Sequence, residues 1–275
     1  ETNRDAKQRI AKKADPRWQE VTEEEIRAYI GIRLYMSIVD LPSQEMYWST
    51  DKLFGDFAIA KTLKRERFEK IQQYFHVADV RSNPPRHSPG HDKLAHVRPL
   101  LVKIRTQCLE KYNPHQDQSI DEAMVAFRGR LSWKQYVPAK PTPYGIKVWM
   151  RGNPHNGLCH DFQVYTGKEG RRPEEGLGAR VIKDLSRDIS GKGHIINMDN
   201  FFSSPQLFLQ LLQDGTMARG TVRSNRREMP PGSIFSDKKV KIQGDKIVLQ
   251  KGSLVAVKWK DKRIVNFLTT ADGPR

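Results

Sequence analysis

The chain has 275 residues, enough for one large domain or two modest ones with a sizeable buried core. Its formal net charge of +16 and its pI near 9.8 favour a polyanionic partner, above all nucleic acid. The sequence has no run near the roughly 20 apolar residues of a membrane span and no secretory signal, which favours an intracellular protein with no membrane partner. Cys108 and Cys159 do not have the spacing of a metal site, so no zinc site is expected.

The first 112 residues show the patterns of helices. Thr22 has the position of an N-cap before three glutamates that suit the positive end of a helix, and apolar residues at helical spacing continue to residue 38. A second helix is expected over residues 59–77 and a third over 97–112, with a Pro-rich break at 81–91 between them. We expect this helical region to end near Asn113.

The pattern changes after residue 112. Three β-prone runs, at 119–127, 145–152 and 158–167, are divided by Gly, Pro and Asn turns and predict successive antiparallel strands. A helix, a buried strand, a helix ended by Gly215 and a further strand follow. From residue 223 the helical periodicity stops, and four alternating runs predict small antiparallel strands. These runs are KKVKIQ, DKIVLQ, SLVAVKWK and RIVNFLTT.

Two aspartates close or interrupt strands that we expect at the centre of a sheet. They are Asp121 in QSIDEAM and Asp199 in IINMDNF. Neighbouring strand positions would bring both to one hard cation, which takes oxygen ligands. Asp199 has a second interpretation, because an aspartate shortly before Ser204 and Pro205 also fits a helix cap or turn. The residues alone leave both interpretations open.

Four stretches resemble the piggyBac family of DNA transposases and the genes derived from them. They are DQSIDEAMVAFRGR, YVPAKPTPYGIKVWM, NMDNFFSS and GTVRSNRREMP. The resemblance extends over nearly the whole chain. It implies a helical dimerisation and DNA-binding region at residues 1–112, the first part of an RNase H-like core at 113–222, and a basic β-rich insertion at 223–275. The implied fold class is α/β, with a mixed sheet flanked by helices and interrupted by that insertion.

The same resemblance assigns roles to the two aspartates. Asp121 matches the first catalytic aspartate of the family and Asp199 the second, both as ligands of a two-ion site for Mg²⁺ or Mn²⁺. The third catalytic aspartate of the family lies in a Gly-Gly-x-Asp type motif that has no counterpart here, and the neighbours of Asp272 resemble the end of the insertion. We therefore expect the chain to be a fragment or a decayed gene product whose core is not completed.

Basic residues supply candidate DNA contacts in two places. In the first, Trp133 and Tyr136 lie among four cations. These cations are Arg128, Arg130, Lys134 and Lys140. The cations predict contacts with phosphates, and the two aromatic rings predict stacking on unpaired bases. The alternative interpretation of this segment is a solvated, positively charged hairpin. The second place is the segment 216–275, which contains 14 Lys and Arg residues but only 5 Asp and Glu residues. Its densest basic cluster is Arg223, Arg226 and Arg227.

The function implied by the resemblance is cut-and-paste DNA transposition. Family members hydrolyse phosphodiester bonds and transfer strands at TTAA sites, so the expected partners are double-stranded DNA, as transposon ends and target, and a second copy of the full-length protein. The nucleus is the implied location. Because the third carboxylate is missing, we expect the isolated chain to be inactive. The alternative is a domesticated, transposase-derived DNA-binding protein without catalysis.

Overall fold

The computed structural model of the chain describes residues 1–51, 53, 58–168 and 174–273. The chain forms two compact units, Glu1–Leu101 and Val102–Arg275. None of the described helices combines the length and the apolar character that crossing a lipid bilayer requires.

The first unit is helical. Its α-helices are α1 (Thr2–Lys12), α2 (Glu23–Ile38), α3 (Ala58–Thr62) and α4 (Arg65–Tyr74), with a 3-10 turn at Gln44–Trp48. Thr22 caps α2 as the sequence predicts, because its hydroxyl accepts the N–H of Glu25 while the Glu25 carboxylate accepts the N–H of Thr22. The core of this unit consists of Tyr29, Ile32, Tyr47, Ile59, Leu63, Phe68 and Ile71.

The predicted single helix over residues 59–77 is wrong, because two helices, α3 and α4, occupy that range. The backbone of Lys64 is extended and separates them. The indole N–H of Trp48 donates to the carbonyl oxygen of Leu63 at 2.7 Å, so a tertiary contact engages a backbone group at the point where the first helix ends. The third predicted helix is confirmed as α5 (Arg98–Lys111), which contains the boundary between the two units.

The second unit is built on one large sheet. Its strands are β1 (Asp117–Ala126), β2 (Gln135–Tyr136), β3 (Tyr144–Gly152), β4 (Cys159–Val164), β5 (Ile195–Met198), β6 (Met217–Thr221), β7 (Lys246–Lys251), β8 (Leu254–Lys260) and β9 (Ile264–Thr269). Helix α6 (Leu177–Ser186) precedes β5 and α7 (Pro205–Gln213) follows it.

Both parallel and antiparallel pairs occur in this sheet. Strands β1, β3 and β4 pair antiparallel, whereas β5 pairs parallel with both β1 and β6. Three antiparallel strands followed by helix, strand, helix and strand are the predicted RNase H-like order, which is therefore confirmed. Strand β9 pairs antiparallel with β6, and β8 and β7 follow it, so the β-rich segment extends the same sheet.

One face of the sheet packs against the helices. Ile120 of β1, Ile196 of β5 and Ala218 of β6 are buried with residues of α6 and α7, among them Ile182 and Phe208. Side chains alternate between the two faces of a strand, so Asp121 lies on the face opposite Ile120. The core thus fixes the direction in which this carboxylate points.

The predicted strand KKVKIQ at residues 238–243 is wrong. Residues Asp237–Lys239 form a 3-10 turn capped by Ser236. The carboxylate of Asp245 accepts the backbone N–H groups of Lys241 and Ile242 at 2.8 and 2.9 Å. Side-chain acceptors therefore take the backbone donors that a strand would need for pairing.

Candidate functional site

Asp121 and Asp199 are lateral neighbours at the edge of the parallel pair β1–β5. Ile120 and Met198 form the last residue pair of that ladder, and the two aspartates are the next residues in each chain segment. Adjacent strands lie about 4.8 Å apart. Both aspartates are exposed. The backbone register therefore makes the two aspartates that the sequence singles out neighbours on adjacent strands.

Each carboxylate uses one oxygen locally. Oδ1 of Asp121 accepts the N–H of Glu122 at 2.6 Å, and Oδ1 of Asp199 accepts the N–H of Phe201 at 2.9 Å. Among the described residues, neither Oδ2 atom has a hydrogen-bond donor and neither aspartate forms an ion pair. The two free oxygens are the donor type that Mg²⁺ and Mn²⁺ accept.

Asp199 does not cap the helix that follows it. Ser204 does so, because its hydroxyl accepts the N–H of Leu207 at 3.2 Å, and Pro205 occupies the first helical position. Asp199 instead shapes the turn after β5, where its backbone carbonyl also accepts the hydroxyl of Ser203 at 2.9 Å. Asp199 therefore has a turn role that leaves part of its carboxylate available.

Strand β6 approaches this turn closely. A Cβ atom on Gly220 would lie 2.3 Å from the carbonyl oxygen of Met198 and 2.7 Å from Oγ of Ser203. No side chain fits in that space, so this position requires a glycine. The position of the segment that carries Asp199 thus depends on β6 as well as on β1.

Two of the predicted DNA contacts hold the same turn from outside. Arg226 donates through Nη2 to the carbonyl oxygens of Asn200 at 3.0 Å and Phe201 at 2.7 Å. Arg223 donates through Nε to Oδ1 of Asn200 at 3.1 Å. Arg227 is exposed. Contact of these three residues with DNA stays a prediction, and the structure adds a positioning role for two of them that the sequence did not reveal.

The cations after β1 differ in availability. Arg128 and Arg130 are exposed. Lys134 donates to the carbonyl oxygen of Gly129 at 3.2 Å, and Lys140 donates to the carbonyl oxygen of Glu122 at 3.1 Å, with its ammonium 3.8 Å from the Glu122 carboxylate. The first two are therefore free to contact phosphate, whereas the two lysines also hold the loop.

The aromatic residues of that loop do not share one environment. Trp133 is buried, so it cannot stack on a base in this conformation. Tyr136 is exposed and stacks on Tyr144, a residue that the sequence interpretation overlooked. The signal for it was present, since a tyrosine lies at each end of the Pro-rich segment 136–144.

Glu122 lies beside Asp121 in the chain but belongs to the other face. Its carboxylate contacts the ammonium of Lys147, which also lies 5.1 Å from the ring centroid of Phe201. Because this charge is compensated on the helix side of the sheet, Glu122 is not a third ligand for a cation held by Asp121.

The carboxylate of Asp272 also forms an ion pair, in this case with Arg219. Arg219 donates to its two carboxylate oxygens at 2.7 and 3.0 Å, and this pairing raises the pKa of Arg219. Thr269 pairs with Arg219 across β9 and β6, so the chain beyond it runs toward the amino end of β6, away from the end of β5 that carries Asp199. In the described part of the chain, no group of three or more Asp, Glu, His or Cys residues has an arrangement suited to a metal ion.

Comparison with known proteins identifies the family. The family model described as Transposase IS4 matches residues 1–274. Human piggyBac transposable element-derived protein 3 is 29% identical over 262 residues, which is 92% of this chain and 43% of that protein. Human piggyBac transposable element-derived protein 2 is 28% identical over 261 residues, again 92% of this chain and 43% of that protein.

A solved structure agrees in fold. The structure is that of a piggyBac transposase synaptic complex with hairpin DNA, and it matches with a TM-score of 0.83 and 27% identity over 99% of this chain and 57% of that one. The chain thus spans about half the length of these relatives. Transposases of the DDE type generally use divalent metal ions, and transposase-derived proteins act on DNA. Since the family model covers nearly every residue, this chain belongs to the Transposase IS4 family, among its piggyBac-type members.

Proposed function

We propose that this chain is the part of a piggyBac-like cut-and-paste transposase that carries two of its catalytic carboxylates, acting on TTAA sites of double-stranded DNA. The observation that carries the proposal is the parallel register of β1 and β5, which makes Asp121 and Asp199 neighbours with one unused oxygen each. Residues 1–112 serve dimerisation and DNA binding, residues 113–222 the core, and residues 223–275 the insertion.

The two aspartates fit a divalent cation site in part. Their oxygens are hard ligands, and both aspartates are exposed where the β1–β5 ladder ends. Mg²⁺ or Mn²⁺ in a two-ion site supplies charge stabilisation for the attacking and leaving oxygens of a phosphodiester. The contribution of this chain is to hold the two carboxylates in fixed positions, through the β1–β5 ladder and the turn anchored by Arg223 and Arg226.

Two carboxylates hold two ions less firmly than three do. Because Glu122 and Asp272 are engaged elsewhere, the described residues provide no third carboxylate beside the pair. The isolated 275-residue chain therefore binds DNA without transposing it. The same observation favours the alternative function, a domesticated transposase-derived protein that binds DNA without catalysis.

Iron-mediated protein cleavage tests the metal site without requiring turnover. Fe²⁺ takes the place of Mg²⁺, and ascorbate with peroxide then generates radicals that cut the backbone beside the bound ion. We expect cuts near residues 121 and 199 that disappear in the Asp121→Asn/Asp199→Asn variant. Asp272→Asn is the matched control, because that carboxylate is held by Arg219 and its replacement should leave the cuts unchanged. Cuts that persist in the double variant would refute the site.

DNA assays with the same chain separate the two functions. On duplexes with TTAA ends, we expect binding that weakens steeply with salt, and no strand transfer. Salt-independent binding would contradict the DNA partner, whereas strand transfer by this chain would contradict its incompleteness. Binding combined with the absence of any iron cuts at the aspartates would favour the domesticated alternative.

The partner protein is a second copy, and α2 offers a surface for it. Ile30, Leu34 and Ile38 recur at intervals of four along α2 and are 43%, 62% and 83% exposed. Such an apolar stripe on a described surface is typical of an association site. Light scattering should report a dimer that dissociates in the Leu34→Lys variant, and a monomeric parent protein would exclude this arrangement.

The site of action is the nucleus, where the DNA substrate is found. Imaging of a tagged chain in eukaryotic cells should show nuclear retention. A strictly cytoplasmic signal would contradict this location.

A further inference from the structure

Tyr136 and Tyr144 form a stacked pair on the surface of the second unit. The two residues face each other across β2 and β3, with ring centroids 4.4 Å apart and ring planes inclined by 25°. They are 59% and 55% exposed. Cross-strand stacking explains why the rings touch each other, but it leaves more than half of each side chain open to solvent.

The pair lies on the same sheet face as the catalytic carboxylate. Met150 is the residue of β3 that pairs with Asp121, and Tyr144 lies six residues earlier in the same strand. An even separation keeps side chains on one face, and a rise of about 3.4 Å per residue gives a distance of about 20 Å. The pair therefore lies within reach of the same DNA strand, several nucleotides along from Asp121.

The surrounding charge suits a DNA strand. Residues 127–143 contain four cations and no carboxylate. Arg128 and Arg130 are exposed in this segment, where they can neutralise phosphates. Exposed aromatic rings beside arginines are the combination by which proteins bind single-stranded nucleic acid, because any base can stack on a ring.

The loop is held in place without a ligand. Trp133 is buried, and the N–H of Val137 donates to the carbonyl oxygen of Pro143 at 2.8 Å. At the start of β3, a Cβ atom on Gly145 would lie 2.1 Å from the carbonyl oxygen of Val125, so the close approach of β3 to β1 depends on a glycine. A fixed platform binds with less loss of conformational freedom than a mobile loop.

We propose that Tyr136 and Tyr144 form a stacking platform for unpaired DNA bases, about 20 Å from the phosphodiester that reacts at Asp121 and Asp199. The assignment rests on the proposed reaction with DNA, and it adds an unpaired stretch to the substrate. Fully paired duplex does not use the platform, because its bases are already stacked on one another.

The test compares two DNAs of equal length in EDTA, one fully paired and one with a four-nucleotide single-stranded gap. Replacement of both tyrosines by Leu removes the aromatic faces but keeps apolar volume, whereas replacement of both by Phe keeps the faces. We expect the Leu variant to lose at least about fivefold in affinity for the gapped DNA, with the paired duplex nearly unaffected, and the Phe variant to bind both as the parent does.

A second measurement serves if the double Leu variant folds poorly. A 2-aminopurine base in the gap should lose fluorescence when the parent chain binds, and the single Tyr136→Leu variant should restore part of it. Equal losses of affinity for both DNAs, or no loss in either, would overturn the platform. Because EDTA removes divalent ions, these results do not depend on the metal site, and a failure there leaves the iron cleavage result intact.

Discussion

Neutralising one of the two adjacent carboxylates should stabilise the metal-free protein. In Asp121→Asn the amide oxygen can still accept the N–H of Glu122, so the local hydrogen bond remains while one charge is lost. Two unit charges about 5 Å apart in a medium of water-like dielectric repel by about 0.8 kcal/mol. Salt screens this repulsion further because both groups are exposed. The expected gain is therefore below about 1 kcal/mol.

The same substitution should remove the stabilisation that a divalent cation provides. A ligand at ten times its dissociation constant stabilises the native state by about 1.4 kcal/mol. For a folded unit of roughly 150–250 residues, each kcal/mol raises the midpoint by about 2–4 °C, so the parent protein should gain about 3–6 °C. Asp121→Asn should gain far less, since one of the two ligands is an amide.

Thermal unfolding followed by tryptophan fluorescence measures both effects. Melts in EDTA and in increasing Mn²⁺ or Mg²⁺, at constant ionic strength, give the apoprotein difference and the cation-dependent shift. Asp272→Asn is the control, because it removes a carboxylate held by Arg219 and should keep the full shift. An Asp121→Asn variant that is less stable than the parent in EDTA would show that repulsion between the two carboxylates does not destabilise the apoprotein. A variant that responds to cation as the parent does would show that Asp121 is not a ligand of the cation.

Three further predictions concern other parts of the molecule. Removing the two hydrogen bonds of Arg226 with Arg226→Ala should speed amide exchange in the turn after β5 by at least about tenfold, whereas exposed Arg227→Ala should not. Burial, followed by repulsion from a neighbouring guanidinium, lowers the pKa of His160 below its usual 6.5, so its protonation favours the unfolded state. The free energy of unfolding should therefore decrease as the pH falls below about 6.5, and it should decrease less steeply in His160→Gln. Denaturant titration at a series of pH values measures both. Replacing Arg128 and Arg130 by Gln should flatten the dependence of log affinity for duplex DNA on log salt by about two, and an unchanged slope would exclude both contacts.

Local sequence signals predicted local structure well. The cap at Thr22 depends on residues three positions apart, and the helix α7 begins at Ser204 and Pro205, whose preferences for those positions are intrinsic. The order of strands and helices in the core followed from β-prone runs and turn residues, and the family resemblance identified that order as RNase H-like. These features need no knowledge of the rest of the fold.

The misjudged elements depend on tertiary contacts. The break between α3 and α4 involves Trp48, fifteen residues from the carbonyl that it binds. The segment KKVKIQ has strand-like alternation, but Asp245 and Ser236 engage its backbone donors. The burial of Trp133 and the pairing of Tyr136 with Tyr144 also depend on how the loop returns to the sheet. Periodicity within a window contains no information on any of these contacts.

On the proposed function, the negative charge of Asp121 and Asp199 would couple cation binding to DNA binding. Arg219 contacts Asp117 and Asp272 toward the amino ends of β1 and β6, so its positive charge is compensated there, away from Asp121 and Asp199. Asp121 and Asp199 thus supply two negative charges that have no ion-pair partner among the described residues. In a chain of net charge +16, these two charges would repel a phosphodiester while the basic loops attract it. On the proposed function, a divalent cation would reverse this sign locally, so DNA would bind the loops without metal but would approach the two aspartates only with it.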